Sequence, residues 1–523
     1  MVEMKKVPYL LIIAFIIGCN SSNKTPGDKS VLIKKALSPS TYANTITQSE
    51  LKKQLYIYSS DEFEGRETGS LGQKKAVSYI KKIYKNLGIP AAKKNGDYFQ
   101  KVPLEFSKLP DGFIDINNHK YMIGTDFLSF STLSGNYNEI IYAGYGIEDK
   151  SYSDYKNIDA KGKILLIKSG EPINDQGNYI ISGTKEKSIW SNMSESIGKR
   201  IELAVTKGVK VVLYYDPINY NRLQSHFISI KQHKNNKMIL QNDISSNFST
   251  LFINTTIAKT ILTTINKENT TKKIDTPISF NVENTSATIS SENVVAFIKG
   301  SEKPEEYIVI SSHLDHLGVT KDGLINNGAD DDGSGTVALF EIAKAFKKAK
   351  KEGNGPKRSI VFLHLTGEEK GLLGSKYYTD FNPIFPLSNT IANLNIDMIG
   401  RIDPKRKGNR NYIYLIGSDK LSTELHQISE QVNKEFTKIE LDYTYNKEND
   451  PNRFYYRSDH YNFAKHNVPV IFYFNGTHED YHKPTDTPDK INYDLLENRT
   501  KLIFYTAWQL ANQKKRIVAD KAM

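Results

Sequence analysis

At 523 residues the chain exceeds what one ordinary hydrophobic core organises, so two folded units are expected. A hydrophobic share of 38%, with 25% charged and 11% aromatic residues, excludes a disordered chain and fits a soluble globular protein. The net charge of +11 is mild over this length, and no dense basic stripe interleaves with aromatics, which argues against a nucleic-acid partner.

In chain order, Lys5 and Lys6 precede an apolar run ending at Cys19, a charged segment followed by a stretch too short to span a bilayer. Its ending, Ile17-Gly18-Cys19, resembles the lipobox of bacterial lipoproteins, in which cleavage precedes the cysteine and lipid joins its sulfur. Cys19 is the only cysteine, so no disulfide forms within the chain. The expectation is a signal peptide over 1–18, lipidation at Cys19 and a polar, flexible tether over 19–45. A plain secretory signal with an incidental cysteine is the alternative. By the same resemblance, Asn20 after the cysteine favours the outer membrane, placing the chain in the bacterial cell envelope, facing the periplasm or the surface.

Residues 47–87 read as helix, loop, helix, with Val77, Ile80, Ile83, Tyr84 and Leu87 on one face of the second helix and Gly88 as its stop. From 109 to 285 short β-rich runs dominate around one helical pattern near 196–207, which reads as a separate β-rich module. From Asn293 strand and helix alternate with near-continuous apolar strands. This predicts an α/β fold with a mixed, mostly parallel sheet flanked by helices, and a β-rich domain inserted into it. The expected divisions are 46–108 and 286–515 for the α/β unit and 109–285 for the insert.

Four of those strands run into metal-competent side chains. They lead to His313, to Glu368-Glu369, to Asp397, and to the segment AsnGlyThrHisGluAspTyrHis, which holds His478 and His482. Asp331 lies in the loop after the first strand, within the triplet Asp330-Asp331-Asp332. In open parallel sheets sites form beyond the carboxyl ends of the strands, so these residues are expected to converge. Two imidazoles and three carboxylates suit two zinc-like ions about 3.5–4 Å apart sharing a carboxylate.

HisLeuAsp at 313–315, GlyAlaAspAspAspGlySerGly at 328–335, GluGlu within 366–375, AsnIleAspMet at 395–398 and TyrHisLysProThrAspThr at 481–487 follow one another in an order that resembles the M28 metallopeptidases. The segment 61–70 resembles that family's N-terminal part, and 109–285 resembles the protease-associated (PA) domain often inserted in it. The resemblance implies Asp331 as the bridging ligand, His313 and Asp397 completing one zinc, and Glu369 and His482 the other. It implies Glu368 as general base and Asp315 as the residue holding the second ring nitrogen of His313. By the same resemblance the enzyme is an aminopeptidase acting on peptides with two Zn2+ as cofactors. A carboxypeptidase or dipeptidase on the same site is the alternative, followed by a cyclotransferase or a noncatalytic receptor-like relative.

The other polar residues around these motifs read more plainly. His316 reads as a surface or rim residue rather than a ligand, and Asp486 as a cap of the ThrProAspLys turn ahead of a role in orienting His482. His478 and Tyr481 are open between rim and substrate contact. Ser458-Asp459-His460 resembles a recurring family segment with no chemistry assigned to it. The histidines at 119, 226, 233, 364, 426 and 466 read as ordinary.

Overall fold

The computed structural model describes residues 38–107, 109–232, 237–241, 248–283 and 288–522. The expected signal peptide, Cys19 and the first part of the expected tether lie outside them. The expected tether does not reach residue 45. Tyr42, Ala43 and Ile46 are fully buried, and Tyr42 stacks on Trp508 at 5.5 Å.

Among the described residues nine strands make the larger sheet: β1 (Phe99–Ser107), β2 (Lys237–Leu240), β3 (Thr288–Ile298), β4 (Lys303–His313), β5 (Arg358–Leu365), β6 (Thr390–Ile396), β7 (Tyr412–Ile416), β8 (Glu440–Asp442) and β9 (Val470–Phe474), in the order β2-β1-β3-β5-β4-β6-β9-β7-β8. The centre, β5-β4-β6-β9, is parallel throughout. β4, β5, β6 and β9 are buried on both faces along their central residues, which is why they read as unbroken apolar runs. The antiparallel pairings lie at the flanks, where β3 meets β5 and β7 meets β9.

Helices cover the sheet. α1 (Gln48–Tyr58), α2 (Leu71–Asn86), α3 (Gly335–Lys351) and α5 (Tyr493–Asn512) share one core with β4 and β6, and α4 (Thr423–Val432) joins it through Leu425. Ser70 caps α2 by accepting the Gln73 amide, and Val77, Ile80 and Tyr84 form its buried stripe as the periodicity predicts.

Among the described residues the second sheet holds eight strands, all within 111–283. Its central pairings, through Leu133–Tyr142, Ile164–Lys168, Val211–Tyr215 and Ser249–Ile253, are parallel. One face packs Phe227 and Ile257 from the helices Tyr220–Gln232 and Thr255–Ile261, and the other packs Ala204 from Met193–Thr206. The sequence shows only the last of these helices. One piece of the 109–285 segment departs from this sheet: β2 pairs with β1 at the edge of the larger one.

Candidate metal centre

Register explains why residues far apart in sequence meet. His313 at the end of β4 lies opposite Leu365 of β5, three residues before Glu368. Ser311 pairs with Asn395, so continuing the parallel ladder by two residues brings Asp397 level with His313. β9 flanks β6 and carries the 475–482 loop to the same edge.

Two clusters result, sharing Asp331. His313 Nε2 stands 3.1 Å from Asp331 Oδ1 and 3.6 Å from Asp397 Oδ1. His482 Nε2 stands 3.2 Å from Asp331 Oδ2 and 3.2 Å from Glu369 Oε2. Donors tetrahedrally arranged about 2.0–2.2 Å from one ion would be about 3.3–3.6 Å apart, close to these separations. His313 Nε2 and Asp331 Oδ2 are buried yet make no hydrogen bond. Two groups of donors thus fit a divalent cation, His313 with Asp331 and Asp397, and His316 with Asp331 and Glu369, the second also faced by His482.

The charges are tightly interlocked. Burial pushes the Asp331 carboxyl up, but His316, His313 and His482 together hold it well below the usual range. Burial works against a charged His482, yet Asp331 and Glu369 raise it to about 10. Burial pushes the Glu368 carboxyl well above its ordinary value; Asp397, Glu369 and Asp459 push the same way and His313 opposes them.

The supports of these donors differ in part from the sequence reading. The second ring nitrogen of His313 meets the backbone carbonyl of Asp315 at 3.0 Å, not its carboxylate. The Asp315 carboxylate instead accepts the Thr68 hydroxyl at 2.6 Å and the Glu368 amide at 3.2 Å, so it fixes the start of the Glu368 turn. Asp486 is no turn cap. It is fully buried and accepts the amides of Asp330 and Asp331 at 2.9 and 3.2 Å. Ser458 donates to Asp397 Oδ2 at 2.7 Å and accepts from Asn395, which gives that segment a role no spacing in the sequence reveals. His478 is buried 3.2 Å from Asp330 Oδ2, behind the site rather than on its rim. His316, expected at the rim, is fully buried inside the second cluster.

A cleft opens over the clusters. Met398, Phe454, Phe472, Phe474, Thr477 and Tyr481 line it beside Glu368, and Arg457 is the one lysine or arginine among its lining residues. Met398 and His482 sit in the left-handed backbone region at φ 60° and 59°, strain of a kind that collects at functional sites.

The N-terminal segment braces this edge. Arg66, 1% exposed, donates to the carbonyls of Leu314 (3.3 Å), Tyr58 (3.2 Å), Asn327 (2.7 Å) and Gly328 (2.9 Å). Arg66→Ala strands these carbonyls in a dry interior and is expected to cost about 3–4 kcal/mol, read as a lower denaturant midpoint at unchanged slope. Lysine should restore little, because one ammonium cannot reach all four. A loss below about 1 kcal/mol would show that water replaces the guanidinium there.

Residues 293–507, about two fifths of the chain, match the family model for Peptidase family M28. A probable glutamate carboxypeptidase, LAMP1, of Arabidopsis thaliana is 36% identical over 106 residues, 20% of this chain and 14% of that protein. Aminopeptidase NAALADL1 of Mus musculus is 33% identical over 110 residues, 21% of this chain and 14% of that protein. These matches thus span about a seventh of the relatives' own length. The solved aminopeptidase from Aneurinibacillus sp. strain AM-1 aligns over 92% of this chain and 98% of its own at 18% identity, with a TM-score of 0.45.

Proposed function

We propose that this chain, through its M28 domain, is a zinc-dependent exopeptidase that hydrolyses N-terminal peptide bonds. His313, Asp331 and Asp397 would hold one ion, and Asp331, Glu369 and His482 a second. The observation that carries this reading is the pair of donor groups joined by Asp331, His313 with Asp397 on one side and Glu369 with His316 and His482 on the other, in which His313 Nε2 and Asp331 Oδ2 are buried without a hydrogen-bond partner.

Bound zinc would polarise the scissile carbonyl and lower the pKa of water at the site. Glu368 lines the same cleft and is held at its amide by Asp315. It takes the proton of the attacking water and returns it to the departing amine. The aromatic wall of Phe454, Phe472 and Phe474 excludes water and receives an apolar side chain.

A second reading, a carboxypeptidase or dipeptidase, draws on Arg457. Its guanidinium lies 4.9 Å over the Phe454 ring, at the cleft, where it can meet a substrate carboxylate. Peptides blocked at one end separate the two. The aminopeptidase reading expects cleavage of C-terminally blocked peptides and none of N-terminally blocked ones. A strong chelator should abolish aminoacyl-anilide hydrolysis and added zinc restore it. Turnover that survives chelation would end the metal reading, and the reverse blocking pattern would favour the carboxypeptidase.

The same proposal takes 109–285 as a PA-like domain and anchors the chain to the cell envelope through lipid on Cys19. Cys19→Ala should move the protein from the membrane fraction to the soluble one. Equal membrane retention of the variant would remove the anchor.

A further inference from the structure

His316 stands three residues beyond His313, yet its ring belongs to the other cluster. Its Nδ1 is 2.8 Å from Glu369 Oε1 and 3.8 Å from Asp331 Oδ2. The two oxygens of Glu369 are thus divided: Oε1 faces His316, while Oε2 faces His482 Nε2 at 3.2 Å.

The ring is held in place from three sides. Its residue's amide donates to the Arg66 carbonyl at 3.3 Å. Its imidazole packs against Gly328, where a Cβ would come within 2.6 Å of the ring Cδ2. Gly328 is also at φ 54°, so a side chain there is strained as well as obstructed. The His482 ring closes the remaining side, 6.0 Å away between centroids.

We propose that His316 is the positioning residue of the second cation site. It donates its Nδ1–H to Glu369 Oε1 and so commits Oε2 to the cation held with Asp331 and His482. This rests on the two-cation reading above. Without the bond, the Glu369 carboxylate is free to rotate about its last torsion, and the second site loses a fixed donor. The His313 site meets His316 only through the shared Asp331, whose Oδ2 lies 3.8 Å from the ring, so it should feel the loss far less than the second site.

The test is zinc binding, not turnover. The full chain is stripped of metal, and zinc is titrated against a competing chromophoric chelator. His316→Ala should leave the tighter or looser step that Asp397→Asn abolishes nearly unchanged, and weaken the step that Glu369→Gln abolishes by about 10–100-fold. His316→Asn, whose amide N–H can stand where Nδ1–H stood, should recover most of that affinity. Matching circular dichroism of the metal-free proteins establishes that each variant folds.

An alanine variant with wild-type affinity at both steps overturns the proposal. So does an asparagine variant as weak as alanine, which would instead make the imidazole itself a ligand. A wild-type chain that binds fewer than two ions removes the two-cation reading, an outcome seen before any variant is compared.

Discussion

Glu368→Gln is expected to lower kcat by about 10²–10⁴-fold with KM little changed and zinc content intact. The substitution keeps the shape of the side chain and the amide bond to Asp315, and removes only the proton acceptor. Glu369, one residue on, sits between His316 and His482 and is committed to the second cluster. Glu368 instead lines the cleft, where a reacting group would lie. Burial, with Asp397, Glu369 and Asp459 nearby, pushes its carboxyl above the ordinary value, which strengthens the carboxylate as a proton acceptor. Steady-state hydrolysis of a leucyl anilide, with zinc measured on the same preparation, decides the matter. Near-normal turnover at full zinc content would take the base role away from Glu368.

The residues legible in the sequence are those that stand at the ends of central strands. His313 and Asp397 follow runs of apolar residues, and a parallel sheet brings its strand ends to one edge whatever the intervening chain does. The supports are different in kind. Asp486 immediately precedes a ThrProAspLys turn that looks locally complete, and only the fold brings it under the Asp330–Asp331 backbone. Arg66 acts through carbonyl oxygens, which every residue carries and no motif records. His316 is adjacent to Asp315, but the side on which its ring falls depends on Gly328, twelve residues later. The antiparallel flanks of the large sheet were hidden for a similar reason. β3 reads as an apolar run like its neighbours, and strand direction is set by the connection between strands, not by composition.

Asp331→Asn is expected to be the most damaging single change to metal binding. The two carboxylate oxygens of Asp331 serve opposite clusters, Oδ1 toward His313 at 3.1 Å and Oδ2 toward His482 at 3.2 Å. Asparagine keeps the shape but offers one carbonyl oxygen and one NH2 group, and an amide nitrogen does not accept. Whichever way the amide lies, one cluster faces a donor where a cation should be, and the other keeps an oxygen without the negative charge. Removing one partner from a buried charged set costs about 3–5 kcal/mol, equivalent to about 10²–10⁴ in affinity. Zinc content after desalting should therefore fall at both sites, whereas Asp397→Asn should empty only the His313 side and Glu369→Gln only the His482 side. If Asp331→Asn instead lost the same single ion as one of those two variants, Asp331 would belong to one cluster and the sites would be separate. The amides of Asp330 and Asp331 remain held by Asp486 in the variant, so a loss at both sites would report the bridging carboxylate itself rather than collapse of the loop that carries it.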